Sequence, residues 1–314
     1  MSSNVGQPFG AAAGLPPGAG FPGASTRVES AERKLGGGPE GPAPQRRRRS
    51  LIVPREHGAW GLLLVPLATG AAVGLFSGRI LPLAPLVIAA LALFWLRTPV
   101  ESWLGTTPMR AQPGVERRLV LRAIAMLSAV SLMALAALFG NGRNRDLAWI
   151  GAGAASAFFA QAMLKKAWRS ARVAAQMIGA AGLTSTAPAA YYVVTGHLTP
   201  TAWMLWIADF LFGVNQIYFV QLRIHAARAA TRREKAAAGR GFLAGQLLLT
   251  VALVLAASLR AFPWLAAVAF LPLLYRGFAW FVRQPAPLTV RALGWSELSY
   301  AIVFGVLLVC GMRF

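Results

Sequence analysis

The chain has 314 residues, of which 56% are hydrophobic and only 13% charged, with a formal net charge of +21. A soluble domain carries about 25% charged residues, so this composition excludes one and indicates an integral membrane protein. In a soluble chain the basic excess would suggest nucleic acid; here Lys and Arg lie between apolar runs, so the partner is the lipid bilayer and no nucleic acid is expected.

Residues 1–50 are rich in Gly, Pro, Ala and Ser and end in Arg46-Arg47-Arg48-Arg49. They offer too little apolar surface to fold, and read as a disordered basic tail. They hold no apolar core of signal-peptide type, so a cleaved export signal is not expected. The arginine run reads as a positive-inside anchor, and a patch for anionic lipid is compatible with it. Residues 51–314 read as one transmembrane helical domain.

Tail and domain meet at Pro54-Arg55-Glu56-His57-Gly58-Ala59-Trp60. Three ionisable side chains, of both signs, stand at the mouth of the first span. That is more than an anchor needs, and it marks this end of the domain for function.

Nine apolar stretches follow, near 58–76, 80–97, 119–139, 147–164, 173–194, 202–222, 241–259, 262–282 and 294–313. Each is close to the ~20 residues that cross a bilayer. The expected fold is an all-α polytopic membrane protein, about nine transmembrane helices in one bundle. Eighteen Lys and Arg fall in or beside the loops after spans 2, 4, 6 and 8, against Arg79, Arg143, Arg145 and Arg260 at the opposite loops. The bias places the N-terminus in the cytoplasm and, after nine spans, the C-terminus outside, in the inner membrane of a bacterium. Trp60, Trp95, Trp149, Trp203, Trp264, Trp280 and Trp295 fall near span ends, as an aromatic belt does. The single cysteine, Cys310, reads as a small buried hydrophobe.

Four acids lie at or within spans: Glu56, Glu101, Asp209 and Glu297. Intramembrane ionisable groups are functional candidates by default. Glu56, Glu101 and Glu297 share the cytoplasmic level with Arg55, Arg97, Arg223 and Arg276. Spans 8 and 9 run antiparallel, so Arg276 and Glu297 are expected to meet as an ion pair. Two readings apply to this group: structural pairs that hold helix ends, or one polar cavity open to the cytoplasm and suited to an anionic head group. Asp209 lies about two turns inside span 6, with no base at its depth, and Ser185 or Thr186 of span 5 are its expected partners. It reads either as a satisfied structural acid or as a relay. Span 6 carries polar residues on two flanks, Asp209, Gly213, Gln216 and Arg223 on one and Asn215, Tyr218, Gln221 and His225 on the other. It is expected to be central and to line the cavity. His57 and His225, with no accompanying carboxylate or thiol spacing, make no metal site, and the cofactor is left open.

The phrase His57-Gly58-Ala59-Trp60, with Pro66 beyond it, resembles the YwiC-like family of integral membrane proteins. Lys165-Lys166, the run from Phe212 to Arg223, Leu271-Pro272-Leu273-Leu274-Tyr275-Arg276 and Glu297 extend the resemblance to the C-terminus. Nine spans with this orientation also resemble the UbiA prenyltransferase architecture. That resemblance implies acidic motifs for magnesium after spans 2 and 6. The chain departs from it there, with Arg97-Thr98-Pro99-Val100-Glu101 and Asn215-Gln216-Ile217-Tyr218.

Three functional classes fit the residues. The first is an intramembrane enzyme or lipid-binding protein for an anionic or isoprenoid amphiphile. Arg55, Arg97, Asn215, Tyr218, Arg223 and Arg276 would bind it, with Glu56, His57 and Glu297 as acid–base candidates. The second is a transporter using Asp209. The third is a non-catalytic membrane partner that docks through the tail and basic loops.

Overall fold

The computed structural model describes residues 51–53, 57–76, 80–105, 112, 114–140, 145–167, 171–226, 229, 231–283 and 289–313. Arg55 and Glu56 lie outside them, as does the whole 1–50 tail. Among the described residues there are helices and no strands. That is the outcome a bilayer enforces, because a helix satisfies every backbone group within its own segment.

Span 1 is α1 (His57–Gly74), span 2 is α2 (Leu83–Leu104), span 3 is α3 (Val115–Gly140) and span 4 is α4 (Arg145–Ala167). Span 5 forms two pieces, α5 (Arg172–Thr184) and α6 (Thr186–Thr195). Span 6 is α7 (Pro200–His225) and span 7 is α8 (Arg232–Ser258). Span 8 is again divided, into α9 (Trp264–Val268) and α10 (Leu271–Val282), and span 9 is α11 (Val290–Arg313). With α9 and α10 taken together, seven of these are long and apolar enough to cross a membrane, and α1 is a shorter apolar helix. The protein is therefore an integral membrane bundle, with span 5 made of two short helices.

Both breaks have one geometry. α5 ends at Thr184 and α9 at Val268, each four residues before a proline, Pro188 and Pro272. Proline has no N–H to give to the carbonyl four residues back, and its ring crowds that carbonyl. At the first break, Ser185 and Thr186 donate their hydroxyls to the carbonyls of Gly182 (2.7 Å) and Leu183 (2.8 Å). At the second, the amides of Ala269 and Phe270 take tighter bonds to Ala266 and Ala267. The carbonyls one and two residues before each freed one are thus satisfied inside the protein.

The main core lies where α1, α6 to α8 and α9 to α11 meet. Phe212 stacks on Phe304 at 4.3 Å, and Phe270 meets Phe304 edge-on at 5.1 Å. A second cluster joins α1, α2 and α6 to Leu138 of α3 and to Leu147 and Ile150 of α4. α3 and α4 bury only a few side chains and present the rest outward, as helices bordering lipid do. α7 is the central helix, with a buried side from Ala202 to Leu222, as its two polar flanks imply. α1 crosses α6 so closely that a Cβ on Gly70 would overlap the backbone of Ala187. Small residues of this kind allow backbones to approach where lipid provides no hydrophobic drive for association.

Candidate functional site

α1 and α11 run parallel. Gly305 of α11 faces Val65 and Thr69 of α1, and further along Arg313 lies over the Phe76 ring at 5.0 Å. Between these two helices is an open cavity of about 1180 Å³. It starts at Trp60 and Trp295 and reaches Ala72 and Cys310. Its walls are apolar apart from the Thr69 position and the Cys310 thiol. Cys310 is exposed here, which corrects its reading as a buried hydrophobe; α11 leaves that face uncovered. α7 does not line this groove, contrary to expectation.

α11 has two faces. Trp295, Leu298, Ile302, Gly305 and Val309 line the groove, while Glu297, Ala301, Phe304 and Leu308 point into the bundle. The spacing of three and four residues puts each set on one side of the helix.

On the inner face, Glu297 meets Arg276 of α10 as expected, Oε2 to Nη1 at 2.5 Å. Both side chains are buried. Gln216 of α7 donates Nε2 to the Glu297 backbone carbonyl at 3.0 Å. The Arg276 guanidinium lies close to two rings, 4.1 Å from the centroid of Phe219 and 4.7 Å from that of Tyr300. Arg223 lies near enough to act electrostatically on both Glu297 and Lys235. Lys235 of α8, whose burial the sequence did not signal, donates Nζ to the carbonyls of Arg283 (2.6 Å) and Trp280 (3.2 Å) at the end of α10. Trp280 is buried beneath it and so departs from the exposed aromatic belt.

The remaining candidates are spread out. Arg97 and Glu101 pair with each other along α2, Nε to Oε1 at 3.0 Å, as a helix-end pair. Asn215 is buried on α7, while Tyr218 is exposed. Gln221 donates to Gln176 of α5 at 3.3 Å, and His225 Nδ1 lies 2.8 Å from the Gln221 carbonyl. Of His57 only the backbone is described, at the start of α1. The described polar residues therefore do not converge on one cavity.

Asp209 is almost fully buried, and its partner is Thr69 of α1 rather than Ser185 or Thr186. Those two hydroxyls are engaged at the α5–α6 break. Thr69 Oγ1 lies 2.9 Å from Asp209 Oδ2 and 2.9 Å from the Pro66 carbonyl, one residue turn below. Asp209 Oδ1 has no partner among the described residues.

Residues 53–191 match the family model described as YwiC-like protein. The match covers the Pro54–Trp60 phrase and α1 to most of α6; α7 to α11, with the Arg276–Glu297 pair, fall outside it. No curated protein matches the chain. No solved structure matches it either, so the resemblance to the UbiA architecture stands on span number and orientation alone.

Proposed function

We propose that the protein binds an amphiphile from the membrane, with its hydrocarbon chain in the α1–α11 groove and its polar end beside the Arg55-Glu56-His57 phrase. One observation carries this reading: Trp60, three residues after His57, forms the end of the groove together with Trp295. In sequence the charged phrase stands just before the residues that open the groove, Trp60 and Gly61. Under the orientation expected from the loop charges, that end faces the cytoplasm.

The dimensions favour a long chain. The groove wall follows α1 from Gly61 to Ala72 and α11 from Trp295 to Cys310. At ~1.5 Å per residue these are roughly 17 and 22 Å, more than the ~15 Å of one hydrocarbon leaflet. An isoprenoid chain, which continues past the membrane midplane, suits that length. Glu297 faces away from the groove and is held by Arg276. Acid–base chemistry on the bound molecule, if the protein is an enzyme, would fall to Glu56 and His57.

The test is lipid identification by mass spectrometry on protein purified in mild detergent. Wild type would be compared with His57→Ala and with Ile302→Trp, which fills the groove. A specific isoprenoid or acidic amphiphile in wild type, depleted in both variants, is the expected result. Equal bulk phospholipid in all three samples overturns the reading.

A further inference from the structure

We infer that Arg276 forms a second, buried site for one oxoanion, a carboxylate or phosphate group held on the Nε–Nη2 edge of its guanidinium. This site does not depend on the groove, because Arg276 and Glu297 lie on the opposite side of α11.

A guanidinium has two faces and a rim of five N–H donors. The Arg276 guanidinium lies against two rings, those of Phe219 and Tyr300. Stacking of this kind holds the plane and favours a cation where water is scarce. On the rim, Nη1 is taken by Glu297. Nε and Nη2 remain, and among the described residues neither has a partner. Their N–H bonds point the same way, side by side. That is the fork that accepts two oxygens of one carboxylate or phosphate. A carboxylate or phosphate supplies the paired acceptor oxygens that this edge needs, and a neutral apolar group does not.

The surroundings agree in sign. Arg276 and Arg223 both act on the Glu297 carboxylate, and Arg223 acts in turn on Lys235. An anion on the free edge would restore balance in a place where uncompensated charge is expensive. Buried donors are otherwise almost always satisfied, and this fork is 8% exposed as a residue. The Gln246 amide nitrogen, a donor, is also without a partner among the described residues. The Gln246 amide occupies the space that a side chain on Gly277 would need, one residue along α10 from Arg276. Gly277 is the residue that lets an amide donor lie beside this stretch of α10. The site therefore combines a charged fork with the Gln246 amide beside the same stretch of α10.

The source of the oxoanion is either a dissolved anion or the head group of a lipid, and the probes separate the two. Full-length protein in detergent would be titrated with inorganic phosphate, acetate, dodecyl phosphate and dodecanoate at constant ionic strength, with thermal shift as readout. Saturable stabilisation by the short anions identifies a dissolved ligand; saturation only by the chain-bearing pair identifies a lipid head group. Arg276→Lys keeps the charge and removes the fork, and should weaken binding about tenfold or more. Glu297→Gln removes the competing carboxylate and should tighten binding several-fold, a gain that damaged folding does not produce. No saturation by any of the four anions overturns the inference. So does unchanged affinity in both variants. Because neither variant alters the groove, lipid retention there reports separately on the first site.

Discussion

Thr69 of α1 gives its hydroxyl to Asp209 of α7 across 140 residues of sequence, and it is the described partner of that buried acid. The bond ties the first helix of the bundle to its central one. Thr69→Val keeps the shape but removes the donor. Leaving a buried acceptor unsatisfied costs about 1–3 kcal/mol, so the unfolding midpoint in detergent should fall measurably. Asp209→Asn preserves an oxygen for Thr69 and carries no charge, so it should cost less. If Asp209→Asn instead unfolds the protein while Thr69→Val is neutral, the carboxylate has a role that the Thr69 bond does not explain, and the relay reading gains.

Lys235 closes the end of α10 through two carbonyls. Lys235→Met retains the apolar stem over Trp280 and loses both donors. We expect destabilisation of about 1–3 kcal/mol, from carbonyls left buried without a donor. Lys166→Met, on an exposed side chain, is the matched control and should stay within about 0.5 kcal/mol.

The crossing of α1 and α6 tolerates no side chain at Gly70. Gly70→Val should remove about 4 kcal/mol or more, or abolish a monodisperse protein peak in detergent. Gly58→Ala, at a position with open space around it, should be neutral or slightly stabilising because alanine favours the helix by about 1 kcal/mol. Equal behaviour of the two variants would show that the helices are not packed at this distance.

Cys310 reports on the groove without any engineering, since it is the chain's single cysteine and is exposed within the channel. A lipid-soluble maleimide should label it in membranes. Labelling should slow several-fold when the amphiphile identified by mass spectrometry is added, and speed up once the protein is stripped of lipid. Rates indifferent to both treatments would mean that nothing occupies that end of the groove.

Much of this architecture was legible in the sequence. Hydropathy placed the spans, and antiparallel pairing of spans 8 and 9 brought Arg276 to Glu297. Polarity on both flanks of span 6 marked α7 as central. The breaks in spans 5 and 8 were not read, although Pro188 and Pro272 were visible. Pro66 and Pro99 lie inside continuous helices, so proline by itself does not decide the matter. At both breaks, nearby hydroxyls or tight turns take up the carbonyls one and two residues before the freed one. Thr69 was missed because a lone hydroxyl in an apolar span has no periodic signal. The groove was missed because it depends on which helix faces remain uncovered, and hydropathy is the same for a face in lipid and a face in a channel.

The division of span 5 also bears on how the chain enters the membrane. α5 and α6, of 13 and 10 residues, reach roughly 20 and 15 Å at ~1.5 Å per residue. Neither crosses a hydrocarbon core of ~30 Å alone. Residues 187–194 of α6 are all buried, against helices that include α7, which is made later. α5 and α6 together are long enough to cross, but with residues 187–194 all buried the place of span 5 in the bilayer is secured by its neighbours more than by an apolar surface of its own. Truncation after residue 199 should leave it unanchored, whereas truncation after residue 231 should not, and protease protection of nascent chains of the two lengths distinguishes the outcomes.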